Sequence, residues 1–190
     1  MPRFALSALG VDRPGIVAAL SGALAERGCN LEDSTMTVLR GHFAVLLVLG
    51  SPEGETASSL EESLAGPAAS FDLVVSVRPL ADLGTAGSFG GPPPQAAPGT
   101  GRGETWTVSV HGADHPGIVH GIATAIADAG GNISDLSTHL VGEQSSPVYA
   151  MVMQVGFEAG AGSEALARVR IAAEDLGVSC HIRLHDPEVL

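Results

Sequence analysis

The chain has 190 residues, 45% of them hydrophobic, and a net charge of −12 from 21 acids against nine arginines, with no lysine. This hydrophobic content, with a mean hydropathy of +0.28, excludes a disordered chain, and no apolar run reaches the roughly 18–20 residues that cross a bilayer. The charge is −4 over residues 1–80, 0 over 81–103 and −8 over 104–190, which argues against direct binding to nucleic acid or to an anionic membrane, since both depend on Lys and Arg.

The first predicted element is a strand over Arg3–Leu9. The start of the chain leads straight into it without a long apolar stretch, so no signal peptide is expected. Pro14 suits the first turn of a helix, where a missing N–H costs nothing. Ile16, Val17, Leu20 and Leu24 then recur at helical spacing, and Gly28 is a suitable stop. Leu31–Leu39 alternates as a strand with one wet face. Gly41 and His42 form a short turn, and Phe43–Leu49 is a continuous apolar run fit for a central strand. A second helix is predicted over Glu53–Ala65 and a final strand over Asp72–Pro79.

Residues 81–103 are rich in Gly, Pro and Ala and include Gly-Gly-Pro-Pro-Pro. They read as a linker, partly stiffened by the proline run. The pattern then starts again. Gly10-Val-Asp-Arg-Pro-Gly-Ile-Val17 returns as Gly112-Ala-Asp-His-Pro-Gly-Ile-Val119, with six of eight positions identical at a spacing of 102. Ala25–Asp33 aligns with Ala127–Asp135 at the same offset. The second set of elements is Glu104–His111, Pro116–Ala129, Asn132–Val141, Val148–Val155, Ser163–Leu176 and Val178–Leu184. Its hairpin is four residues longer around Gly142–Pro147, so the offset becomes 106 at Ala44 and Ala150. A repeat of this length means two copies of one domain, 1–80 and 104–190. The order β-α-β-β-α-β is the ferredoxin-like pattern, an antiparallel four-stranded sheet with two helices on one face. Each copy is small, and its open sheet face and edges invite pairing with the other copy or with a second chain.

The repeated turn is the first candidate site. Gly10 and Gly15 permit close backbone approach, Asp12 can accept from free N–H groups at the helix start, and that start can hold a small carboxylate. The plainer reading is a tight Pro-Gly turn with a cap. Asn30 and Asn132 open the second strand of each copy, and an amide that both donates and accepts suits a zwitterion. The plainer reading here is an Asn easing a left-handed turn.

Together, Gly-x-Asp-[Arg/His]-Pro-Gly-Ile-Val, the following Gly-x-Asn-[Leu/Ile]-x-Asp (Cys29 replacing Gly131 in the first copy) and the duplicated element order resemble ACT domains. The tandem arrangement resembles the glycine cleavage system transcriptional repressor group. That resemblance covers nearly the whole chain apart from the linker and termini. It implies a non-catalytic regulatory protein that binds an amino acid such as glycine or serine where two such units meet. The implied binding residues are Gly10, Asp12, Pro14, Gly15 and Asn30, with Gly112, Asp114, His115, Pro116, Gly117 and Asn132. It also implies action through a protein partner, a transcription regulator or an enzyme, rather than by gripping DNA, and a homodimer is expected. The alternatives are a ligand-free dimerisation module and the regulatory subunit of a separate metabolic enzyme. ACT pairs also accompany catalytic domains, as in formyltetrahydrofolate deformylases, but the two copies leave no room for one here.

The copies differ at Arg13 and His115, Cys29 and Gly131, and Glu32 and Ser134, so the two sites are expected to differ in affinity, or only one of them to bind. His115 can titrate near neutral pH and Arg13 cannot, which would make only the second site pH-sensitive. His111, His115 and His120 follow no recognised metal-ligand spacing, and no metal or cofactor is expected. Cys29 and Cys180 do not recur in the other copy. Two cysteines form no disulfide framework and fit a reduced cytoplasmic setting. Gly99–Gly103 lacks the Lys-Ser/Thr of a phosphate loop, and no Gly-x-Ser-x-Gly or His-Glu-x-x-His motif occurs. Met36, Met151 and Met153 read as core or interface residues.

Overall fold

A computed structural model of the chain describes residues 1–80, 104–141, 148–158 and 162–184. The linker 81–103, with its Gly99–Gly103 segment, and the hairpin insertion 142–147 lie outside them. The elements are β1 (Arg3–Val11), α1 (Ile16–Glu26), β2 (Asn30–Leu39), β3 (His42–Gly50), α2 (Ala57–Phe71) and β4 (Val74–Leu80), then β5 (Glu104–Ala113), α3 (Ile118–Asp128), β6 (Asn132–Val141), β7 (Val148–Phe157), α4 (Gly162–Asp175) and β8 (Ser179–Leu184). This is β-α-β-β-α-β twice, an α+β architecture of two ferredoxin-like halves.

The halves share one eight-stranded sheet in the order β4-β1-β3-β2-β6-β7-β5-β8. The seam is antiparallel pairing of β2 with β6, setting Ser34 opposite Thr138, Thr35 opposite Ser137, Met36 opposite Leu136 and Thr37 opposite Asp135. Thr35 and Ser137 are counterparts in the repeat, so a pseudo-twofold axis passes between them. The offset of 106 in the third strands is also visible, since Thr37 pairs with Ala44 and His139 with Ala150.

Alternation decides which face is dry. Phe4, Leu6 and Ala8 of β1, Phe43, Val45, Leu47 and Leu49 of β3, and Tyr149, Met151, Met153 and Val155 of β7 are buried beneath the helices. Ile16, Leu20 and Leu24 form the buried stripe of α1, and Ile118, Ile122 and Ile126 that of α3. The opposite sheet face presents Leu9, Val11, Leu39, Leu46, Val141, Val148 and Val152 to solvent.

Three local expectations change. Pro14 and Pro116 lie before the helices and not in their first turns. The N-caps are Gly15 (φ 91°) and Gly117 (φ 97°), in left-handed backbone that other residues adopt only with strain. Asp12 does not cap its helix, because neither of these helices has a side-chain cap. α2 starts at a Thr56–Ser59 capping box and runs through Pro67 to Phe71, six residues past its predicted end at Ala65. The hydrogen bond lost at Pro67 is offset by Ala68 and Phe71, which pack against the core.

Candidate functional site

The two repeated motifs meet across the halves. Asn30 Nδ2 donates to Asp114 Oδ2 at 2.7 Å, and Asn132 Nδ2 donates to Asp12 Oδ2 at 2.7 Å. Asp12 is therefore grouped with Asn132 and not with Asn30 of its own half. The seam explains this exchange. It carries the start of β2 toward the turn after β5, and the start of β6 toward the turn after β1.

A small cavity lies beside each Asn–Asp bond, bordered by Asp12 and Asn132 in the first case and by Asn30 in the second. The first is bordered by Asp12, Arg13, Gly15, Met36, Phe43 and Asn132, together with residues of α3. The second is bordered by Asn30, Cys29, His115, Gly117, His120 and Tyr149, together with residues of α1. The cavities are about 10 Å³ each, room for one water at most. Both are partly open, and each faces a helix start whose N–H groups lack a side-chain cap. Those donors and the helix dipole favour an anion such as a carboxylate. Asp114 adds an acceptor, since its Oδ1 is buried without a hydrogen-bond partner.

Gly10 and Gly112 border neither cavity. A Cβ on Gly10 would lie 2.6 Å from Leu73 Cδ2, and one on Gly112 would lie 2.8 Å from Val178 Cγ1. They allow β1 and β5 to pass close to the turns after α2 and α4. Pro14 and Pro116 shape the turns without bordering a cavity. His115 borders the second cavity, with Nε2 3.0 Å from the Leu176 carbonyl oxygen and Nδ1 3.1 Å from that of Pro116.

The other histidines diverge from it. His120 Nδ1 lies 3.1 Å from the Ala18 carbonyl oxygen and its ring packs over Gly22, while His111 stacks on His181 with ring centroids 5.5 Å apart. Among the described residues no group of three His, Cys, Asp or Glu is placed to hold a metal ion. The Cys29/Gly131 difference has a steric cause, because a Cβ at Gly131 would lie 2.6 Å from Phe157 Cε1 and 2.8 Å from Ile126 Cγ2. Glu32, where the other half has Ser134, pairs with Arg3 at 2.8 Å.

Sequence reasoning missed Phe43 and Tyr149, which occupy equivalent positions on β3 and β7 and end beneath the two cavities. The signal was present in the offset of 106. Burial raises the Tyr149 phenol above its usual range, and the Thr138 hydroxyl opposes that shift more than the Asp114 charge adds to it. Burial also pushes the Cys29 thiol from 9.0 up to about 11, Glu55 adds to this, and Arg27 opposes it.

The folded state thus holds the Cys29 proton more tightly than the unfolded chain. Its contribution to stability is intact below pH 9 and is lost as pH rises from 9 toward 11. Thiol labelling of the native protein at neutral pH is expected to modify half-buried Cys180 well before buried Cys29. Equal labelling rates would contradict the burial of Cys29.

An ACT domain family model matches residues 3–78. A UPF0237 protein from Methanopyrus kandleri is 40% identical over 78 residues, which span 40% of this chain and 87% of that protein. The glycine cleavage system transcriptional repressor of Escherichia coli is 33% identical over 73 residues, 38% of each chain. Aspartate kinase from Synechocystis superposes with a TM-score of 0.52 over 90% of this chain and 26% of the kinase, at 16% identity, a likeness of fold alone.

Proposed function

The chain belongs to the ACT-domain family, and we propose that it is a non-catalytic regulatory protein whose two ACT units, residues 1–80 and 104–190, bind a small amino acid such as glycine or serine between them. The observation that carries this reading is the reciprocal pair of Asn–Asp bonds, each beside a small cavity at an uncapped helix start. An amino acid entering such a site exchanges the Asn–Asp bond for its own groups. Its ammonium is taken by the Asp carboxylate, its carboxylate by the helix N–H groups, and the freed Asn amide can donate to the carboxylate as well. Because each Asn–Asp bond ties one unit to the other, occupancy changes how the units are held together.

That change is the signal offered to a protein partner, a transcription regulator or a metabolic enzyme, in a cytoplasmic setting. By linkage, ligand and partner alter each other's affinity by the same factor, typically about 5- to 150-fold. The net charge of −12 favours a protein partner over direct contact with nucleic acid. The apolar open sheet face is suited to a homodimer. The small size of the cavities favours a second reading, a ligand-free interaction module.

A thermal-shift screen of the twenty amino acids separates the two readings. A ligand at about 100 times its Kd adds roughly 2.7 kcal/mol of stability. A shift for one or a few amino acids, reduced in Asn30→Ala or Asn132→Ala, supports the sensor. No shift with any of them supports the module.

A further inference from the structure

The two sites lie on opposite sides of the pseudo-twofold axis and should be alike, yet their floors differ in polarity. The Asp12–Asn132 cavity is bordered by Phe43 and Met36, and Met36 pairs with buried Leu136 across the seam. The repeat equivalents are Tyr149, which borders the Asn30–Asp114 cavity, and the buried seam pair Thr138 and Ser34, which border neither cavity. Ser34 Oγ and Thr138 Oγ1 satisfy each other at 2.8 Å. The Tyr149 hydroxyl lies beside that pair, close enough for the Thr138 hydroxyl to draw its titration down, but forms no hydrogen bond with it. Its side chain is 1% exposed and borders the second cavity, and its oxygen has no hydrogen-bond partner. Asp114 Oδ1, on the same site, is likewise buried and unpartnered.

A buried hydroxyl left unpaired is costly, and phenylalanine would fill the same space without that cost, as Phe43 does in the other half. A tyrosine here is accounted for if a ligand supplies the missing partner. At the equivalent place the first site has the Phe43 ring, which carries no hydroxyl.

We propose that the two sites select different amino acids, the Asn30–Asp114 site taking one with a hydroxyl side chain through Tyr149, and the Asp12–Asn132 site taking glycine or alanine. This rests on the amino-acid-binding reading above and adds the selecting residue. Asp114 Oδ1 accepts from the ligand ammonium, the start of α3 receives the carboxylate, and the side-chain hydroxyl meets the phenol, which can both donate and accept. An alanine-sized side chain in that site leaves the phenol unpaired, and a pocket built to bond a hydroxyl discriminates strongly against the analogue that lacks it.

The test is calorimetric titration of the full chain with glycine, L-alanine, L-serine and L-threonine, using Asp12→Ala to isolate the second site. In that background a hydroxyl amino acid is expected to bind about tenfold more tightly than L-alanine. Adding Tyr149→Phe is expected to erase the preference by weakening the hydroxyl ligand while leaving L-alanine unchanged. The melting temperature of ligand-free Tyr149→Phe is expected to stay level or rise, because the removed hydroxyl has no partner. Survival of the preference in Tyr149→Phe, or equal binding of L-serine and L-alanine before that change, overturns the proposal and leaves the sensor reading standing. Failure of the unmodified protein to bind any of the twenty amino acids overturns both.

Discussion

Leu136→Asp is expected to lower the unfolding free energy by at least about 4 kcal/mol, or to prevent folding. Leu136 is 1% exposed and sits on β6 opposite Met36, itself 2% exposed, where the halves join. Truncating a buried leucine costs about 2–5 kcal/mol by itself, and an unpaired carboxylate in that place adds a desolvation cost. Thr35→Lys is the matched control. Thr35 lies on the same seam, one residue from Met36, but on the exposed face, and its change is expected to stay within about 0.5 kcal/mol. Urea unfolding of both variants reads the difference. Because side chains alternate between faces, a register slipped by one residue would reverse the order of the two effects, so a Thr35→Lys protein less stable than Leu136→Asp would disprove the seam.

The second large effect concerns binding. Asp12→Ala and Asp114→Ala are each expected to remove one site, and the double variant to bind no amino acid measurably. Each substitution deletes the carboxylate offered to a ligand ammonium. Hydrogen bonds to charged groups contribute about 1.5–3 kcal/mol, so a single site should weaken by about tenfold to more than a hundredfold. The unliganded protein should also lose about 1.5–3 kcal/mol, because the Asn–Asp bond deleted is itself a bond to a charged group. Titration calorimetry gives both affinity and stoichiometry. Binding that survives in the double variant with unchanged affinity would place the ligand elsewhere.

Most of the fold was legible because the chain states it twice. The repeat fixed the element order, and the switch from an offset of 102 to 106 located the longer hairpin without any structure. The seam was not legible, because Leu31–Leu39 alternates identically whether β2 is an edge strand or pairs with β6. The site suffered for the same reason. Asp12, Asp114, Asn30 and Asn132 could be selected from their motifs, but their pairing spans 120 and 84 residues, and no local pattern encodes which Asn meets which Asp. The motif glycines divided in a way that spacing does not reveal. Gly15 and Gly117 border the cavities in left-handed backbone, whereas Gly10 and Gly112 make room for Leu73 and Val178. The expected end of the second helix at Ala65 fell short of Phe71 because the packing of Ala68 and Phe71 that carries α2 through Pro67 is tertiary.

The central claim is that amino acids enter by displacing the Asn–Asp bonds between the halves. It is tested most directly by following the side-chain amide resonances of Asn30 and Asn132 by NMR during titration with the best-binding amino acid of the thermal-shift screen. The account predicts that one or both resonances move on saturation, together with the backbone amides at the starts of α1 or α3. Saturable binding that leaves both Asn side chains and both helix starts unperturbed would contradict it.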